Sequence, residues 1–453
     1  MIGCGSIGQG FLPLLFITFA IHPSQLTIIT ADEDGRHVAV HFGIRYLVDP
    51  ITPENYSALL SQHLHAGDLL LNLAVEVSSV ALIAWCKEYD VMYLDTCVEP
   101  WGGGYLAKDS TSLETTNAWL RQEALALHSQ GAATAVIAHG MNPGLVSHLF
   151  KEGLRALAYS KGIAVMPEPE WGTLAQTLGV KVVHIVERDT QDEAQPLLCG
   201  EFANTWSAKG LYSETWLQHA EVGWGSHERA LPIDAKLLLH GQVLCLAKHG
   251  TVIRLRSWLP SLGEQQGMLV THHEVISIAD MLSVGQYRPT VCYVYNPCPK
   301  ARISLMNLQA GQSVTGYRVL ASDAVHGFDE IGVLLIHDTG ALWHGSTLTS
   351  DETQQIAPYN SATSLQVVAG IIGAMVWILD HPREGVVEAE SMDSAQVLSV
   401  ARPYLGKIST VETDWCPGSK LTFDEFLLAS NDWHKQVATG YICAQEKSKE
   451  AFV

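Results

Sequence analysis

In the middle of this chain, carboxylates, an imidazole and an indole sit beside apolar, β-rich stretches: Glu187 in HIVERDTQ, Trp206 in FANTWSAKG, Glu214 in YSETW, His273 in VTHHEV, and Asp329 with Glu330 in GFDEIG. Carboxylates grouped with an indole, without a matching set of lysines, suit an aliphatic dication, which takes an ion pair at each end and a cation–π face between them. Each residue alone has a plainer role: Glu187 in a surface ion pair with Arg188, Trp206 as a core filler, His273 as a satisfied strand histidine. None has metal-ligand spacing, so no metal is expected. Neither a GxSxG nor a Cys-His nucleophile pattern accompanies them, so the chemistry is not hydrolysis. Oxidising an amine requires its neutral form, because an ammonium has no lone pair to assist hydride loss. His273 is then a candidate proton acceptor, Glu187 and Glu214 are candidate ammonium grips, and Trp206 is the candidate stabiliser of growing positive charge.

Hydride loss needs an acceptor, and the chain opens with a turn that could hold one. Residues 1–8, MIGCGSIG, spell GxGxxG ahead of the apolar run FLPLLFITFAI, read as a helix, and the strand LTIIT then leads to Asp32. Gly3 permits the tight turn, Gly5 lets backbone approach a pyrophosphate, Gly8 seats the helix against the strand, and Ser6 and Ile7 complete the phosphate loop. The helix start offers unpaired N–H groups to the phosphates. Asp32 stands where a carboxylate accepts ribose hydroxyls and repels a 2′-phosphate, which favours NAD over NADP, although Arg36 nearby could meet a phosphate. Only Met1 and Ile2 precede Gly3, where about four to six apolar strand residues are usual, so the chain is expected to continue upstream.

The elements that position these groups alternate at first. Helix ITPENYSALLSQHL (Thr52 as N-cap), strand DLLLNLAV, helix VSSVALIAWCKEY, strand VMYLDT, helix SLETTNAWLRQEALALHSQ and strand TAVIAHG follow in turn. Such alternation predicts a doubly wound parallel sheet with its ligand beyond the carboxyl ends of the strands. Asn72, Ala74, Asp95 and Thr96 lie at those ends and are candidates to line a cofactor, or else ordinary loop caps. Asn142, in the NPG turn before helix LVSHLFKEGLRAL, is a candidate substrate ligand or simply part of a helix-initiating turn. From about residue 163 to 345 short strands dominate, including MLVTHHEVISIADML, and predict an antiparallel or mixed sheet. The expected class is therefore α/β: a Rossmann-type NAD-binding domain over 1–145 with a truncated first strand, an α+β substrate and dimerisation domain over 146–350, and a helical part over 351–453 that completes the first domain or forms a dimer contact.

Composition bounds the partners. The 453 residues carry 27 Lys plus Arg against 47 Asp plus Glu, a net charge of −20. Nucleic acid and membrane surfaces are repelled, and cationic small molecules are attracted. With 47% apolar and 16% charged residues the chain is globular rather than disordered. Nine scattered cysteines, never in a CxxC pair, predict a reducing cytoplasm, and Cys292 and Cys298 lack a histidine at zinc spacing. The run LQVVAGIIGAMVWIL, Leu365 to Leu379, is shorter than the ~18–20 residues that cross a bilayer and reads as a core or subunit-interface helix.

GCGSIGQG, VEPWGGGY (Val98 to Tyr105), HGMNPGLVSH, HIVERDTQ, NTWSA and THHEVISI, in this order, together resemble the bacterial homospermidine synthases within the saccharopine-dehydrogenase-like group, over nearly the whole chain. The resemblance implies NAD as a tightly held, recycled cofactor and putrescine as substrate. A primary amine gives hydride to NAD, the imine is attacked by a second putrescine with loss of ammonia, and hydride returns to the new imine. It also implies that Glu187, Trp206, Glu214, His273 and Asn142 are substrate-site residues and that Glu99 in VEPW belongs to an acidic entrance. Asp329 would be an ammonium-binding acid, with Asp338 as the competing alignment. The alternative within the group is a net oxidoreductase of an amino acid or amine, which would need a cationic side chain for a substrate carboxylate.

Overall fold

The computed structural model describes residues 1–106, 114 and 116–428. The start of the helix expected at 112–130 and the end of the segment from 423 lie outside the described residues.

Leucine- and isoleucine-rich strands separated by helices pair in parallel, in the order Arg45–Val48, Thr27–Thr30, Ile2, Leu69–Asn72, Met92–Asp95, Ala135–Val136, Val386–Val387. The expected first strand is a single residue. Ile2 bridges Ile29 and Asn72, donating its N–H to the Leu71 carbonyl at 2.8 Å and accepting from the Leu73 N–H at 2.8 Å. Helix Ser6–Thr18 leaves the glycine turn and packs beside Ala362–Asp380. The latter is apolar on every side and 78% of its apolar window is buried within the chain, so it is a core helix.

The second half holds a separate parallel pair, Glu201–Asn204 with Gly316–Val319, and one large mixed sheet. Its order is Lys407–Thr413, Gly340–Thr349, Phe328–His337, Val180–Asp189, Thr290–Asn296, Glu221–Gly223, Val243–Leu246, Ala235–Leu238, with the hairpin Arg254–Leu259 and Gly263–Val270 branching from Thr290–Asn296. Val180–Asp189 and Thr290–Asn296 run parallel and the remaining neighbours antiparallel. The segment after residue 350 serves both halves: Val386–Val387 extends the nucleotide sheet, and Lys407–Thr413 extends the second.

Two local expectations differ. The helix expected from Thr52 is Tyr56–Leu60, because the Asn55 side chain accepts the Thr52 N–H at 2.8 Å and makes a turn before the helix begins. THHEVISI is not a strand: His273–Met281 is a helix that starts as strand Gly263–Val270 ends. Its buried face is apolar at helical rather than alternating spacing.

Asn142 is set by a close backbone approach. A Cβ on Gly370, inside Ala362–Asp380, would lie 2.0 Å from the Gly140 carbonyl oxygen. Gly→Ala inside a helix ordinarily stabilises by about 1 kcal/mol. Here Gly370→Ala should instead destabilise by about 2 kcal/mol or more, read from the denaturant midpoint. Gly316→Ala, where a Cβ meets nothing within 4 Å, should leave that midpoint nearly unchanged.

Candidate active site

A cleft of about 1310 Å³ opens at the carboxyl ends of the parallel strands, walled by Gly3 to Gln9, Asp32, Ala74 and, from the second half, Thr205, Lys209 and Tyr317. The glycine turn is shaped for a ligand. Gly3 has φ +82° and no room for a Cβ against Leu73, whereas a Cβ on Gly5 would meet nothing within 4 Å. Gly5, Ser6, Ile7 and Gly8 all face the cleft. Asp32 is exposed on it, with one carboxylate oxygen taking the Asp34 N–H at 3.1 Å. Arg36 is held by Glu33 and lies over the Tyr46 ring at 4.8 Å, so its charge is already matched.

Of the strand-end candidates, only Ala74 lines the cleft. Asn72 is buried, accepting the Ala74 N–H at 3.2 Å and donating to the Tyr93 hydroxyl at 3.2 Å. That hydroxyl donates to Asp95 at 2.7 Å, and Asp95 also takes the Ala138 N–H at 2.6 Å. Asn72 and Asp95 therefore bolt strand ends together behind the cleft. Thr96 packs against Gly140.

Strand register builds a buried cluster of acids, called the acidic chamber below, next to this cleft. Glu187 and Asp189 share one face of Val180–Asp189, and antiparallel pairing sets Asp189 opposite Asp329 and Glu187 opposite Ile331. Ile331 packs with Met141 and Leu145, so this face looks toward the nucleotide half. Glu330 points the other way, to the Ser261 hydroxyl. Asp338 is exposed beside Lys181, away from the chamber.

Glu187 accepts from the Asn142 amide at 3.1 Å and from the Tyr293 hydroxyl. Tyr293 and Tyr295 stack at 5.6 Å, and the Trp206 indole N–H reaches the Tyr295 hydroxyl at 3.4 Å. Asp189 takes the hydroxyl of Thr205, a residue of the cleft wall. Both Asp329 oxygens are buried without a well-formed hydrogen bond, with the Thr363 hydroxyl close by. Burial, with added repulsion from neighbouring acids, pushes Glu187 up to about 8 and Asp329 well above the carboxylate range. Burial likewise raises Asp189 to about 6, against hydrogen bonds that lower it.

A second acidic group borders the first. His272 lies 3.2 Å from Glu214 and 3.1 Å from Glu274, with its ring 4.5 Å from that of Tyr293. Burial opposes its charge, but Glu274 and Glu214 outweigh burial and hold its pKa well above the ordinary histidine value. Burial, with Glu214 nearby, raises Glu99 to about 8. His273, one residue on, turns away: its Nε2 is 2.5 Å from Glu388. Arg121 clamps that carboxylate at 2.7 and 2.8 Å and also pairs with Asp280. The histidine that meets the acids and aromatic rings is thus His272, and His273 belongs to an ion network behind it.

The structure draws together Asn142, Glu187, Trp206, Glu214 and Asp329, with Glu99 alongside Glu214. The sequence reading missed Asp189, Tyr293, Tyr295 and His272. The first three follow from strand alternation, since residues two apart share a face.

The folded chain keeps the Glu187 proton up to about pH 8, and the unfolded chain releases it near 4.5. Between those values the folded state binds more protons, so stability falls as pH rises. Thermal unfolding of the ligand-free Glu187→Gln variant should therefore depend less on pH between about 5 and 8 than that of the wild type. Equal slopes would contradict the burial described.

Residues 1–138 match the saccharopine dehydrogenase NADP binding domain, and residues 140–412 match the saccharopine dehydrogenase C-terminal domain. The homospermidine synthase of Blastochloris viridis is 42% identical over 96% of this chain and 95% of its own length. That of Mesorhizobium japonicum is 40% identical over 96% and 94%. The crystal structure of the Legionella pneumophila homospermidine synthase in complex with NAD superposes with a TM-score of 0.88 at 40% identity, covering 94% of this chain and 97% of that one. With near-complete coverage at this identity, and a buried group of acids beside a dinucleotide cleft, the chain belongs to the homospermidine synthase family, built on the saccharopine dehydrogenase fold.

Proposed function

We infer that this protein joins two putrescine molecules into homospermidine with release of ammonia, using NAD as a recycled hydride carrier with no net redox change. One observation carries the reading: Glu187, Asp189 and Asp329 are buried together, and among the described residues no lysine or arginine side chain hydrogen-bonds any of them. A cationic substrate supplies the missing charge. An amino-acid oxidoreductase would need a cation here for the substrate carboxylate, and the chamber offers acids instead.

The nucleotide cleft fits NAD. Gly5 leaves space for a pyrophosphate, Asp32 presents a carboxylate to ribose, and Arg36, which a 2′-phosphate would require, is taken by Glu33. Bound NAD supplies the acceptance of a hydride from an amine-bearing carbon and its return to an imine.

The chain's own residues do the rest. Asp329 and Asp189 hold one ammonium group. Glu187, raised by burial while no cation faces it, can take a proton from the amine that must become neutral only after the incoming ammonium charge has displaced its own proton. Asn142 and Tyr293 fix its orientation. His272, kept positive by Glu214 and Glu274, is a donor rather than a base. Trp206 offers its face to the developing cation, and with Tyr293 and Tyr295 it keeps water from an imine that would otherwise hydrolyse. Glu99 and Glu214 draw the diamine inward. His273, through Glu388, steadies the helix start that carries His272. The eight cysteines among the described residues are unpaired, which supports a cytoplasmic location, and a homodimer is the assembly we propose, to be read by light scattering.

Labelled putrescine and purified protein should yield homospermidine and ammonia in equal amounts, with no lasting change at the nicotinamide absorbance band. Steady growth of that band without homospermidine would overturn the reading. Trp206→Ala should lower kcat by about tenfold or more, the equivalent of ~1–2 kcal/mol of cation stabilisation.

A further inference from the structure

Tyr359 occupies a backbone region that bulky residues rarely adopt, φ +65°, and its side chain lines the nucleotide cleft. Such strain persists only where surrounding structure enforces it. The enforcement here is the next residue. Buried Asn360 donates to the Gly10 carbonyl at 3.0 Å and the Pro358 carbonyl at 3.1 Å, and takes the Ser364 hydroxyl at 3.2 Å. Gly10 makes room for it, since a Cβ there would lie 2.1 Å from the Asn360 oxygen. The segment is thus pinned to the helix that leaves the glycine turn, and an aromatic ring is held at the rim of the cleft.

That rim is the one marked by Asp32. The Tyr359 ring meets His37 edge-on at 6.2 Å and His41 at 6.1 Å, with its hydroxyl 3.3 Å from His41 Nδ1. His37 lies five residues beyond Asp32 in the chain and lines the same cleft, as does Asp34. An aromatic wall beside the carboxylate that receives ribose hydroxyls is chemically suited to a purine, whose π face stacks on such rings.

We propose that Tyr359, backed by His37, is a cofactor-binding residue, the wall on which the adenosine end of the dinucleotide rests. This rests on the reading that Asp32 marks the ribose of NAD. The C-terminal part of the chain then closes the cofactor site as well as extending the nucleotide sheet.

The test is calorimetric binding of NAD, adenosine monophosphate and nicotinamide mononucleotide to the full-length, cofactor-stripped protein. Tyr359→Asn keeps a residue that tolerates positive φ but removes the ring. It should weaken NAD and adenosine monophosphate by about tenfold each and leave nicotinamide mononucleotide within about twofold, while Tyr359→Phe stays close to wild type in all three. Unchanged adenosine monophosphate binding, or equal losses for both half-ligands, would overturn the proposal and leave the NAD reading intact. A wild type that binds no NAD would overturn both. A collapse of the thermal midpoint in both variants would mark Tyr359 as a core plug and also overturn it.

Discussion

Carboxyl groups resist leaving water, and this molecule buries Glu187, Asp189 and Asp329 together with no lysine or arginine among the described residues hydrogen-bonded to any of them. The cost of desolvating an unpaired carboxylate is several kcal/mol, so burial raises the pKa of each of these acids. Much of the architecture serves that arrangement. Two adjacent strands bring Asp189 and Asp329 face to face, the parallel neighbour adds Tyr293 beside Glu187, and Thr205 ties Asp189 to the nucleotide cleft. The buried acids are complementary to positive charge that a ligand would bring.

The neighbouring histidines show how one peptide step separates two jobs. His272 is the residue just before a helix and His273 its first member, so their side chains diverge. One is held between Glu214 and Glu274 above Tyr293; the other is fastened to Glu388 and, through it, to Arg121 in helix Asn117–Ala126. The ion network fixes the backbone from which the chamber's imidazole projects. Electrostatics within the chamber and mechanical support behind it are thus supplied by adjacent residues.

Much of this was legible in the sequence because the governing signals are local. The glycine turn, the alternation of apolar strands with helices, and Asp32 after LTIIT all depend on residues close together in the chain. Glu187, Trp206, Glu214 and Asp329 stood out by being polar within apolar strands or beside them. Asp189, Tyr293 and Tyr295 were readable from period-two alternation and were passed over. His273 was expected on a strand because THHEVISI is apolar enough to pass for one, and the helix is decided by packing against distant strands. Nothing local could have revealed Glu388 against Arg121, which are 267 residues apart. The same holds for the hydrogen-bonded chain from Asn72 through Tyr93 to Asp95, which joins neighbouring strand ends.

The strand Val386–Val387 lies at the edge of a sheet whose other members all come from the first 136 residues. Between them the chain leaves to build all of the second sheet except its edge strand Lys407–Thr413 and then returns through Ala362–Asp380, which packs on the first helix. The dinucleotide-binding half therefore cannot finish assembling on the ribosome when its own residues have emerged. It must wait, partly open and with helix Ser6–Thr18 lacking its partner, until more than four-fifths of the polypeptide has been synthesised. The late strand and late helix thus tie completion of the first sheet to synthesis of the C-terminal part of the chain.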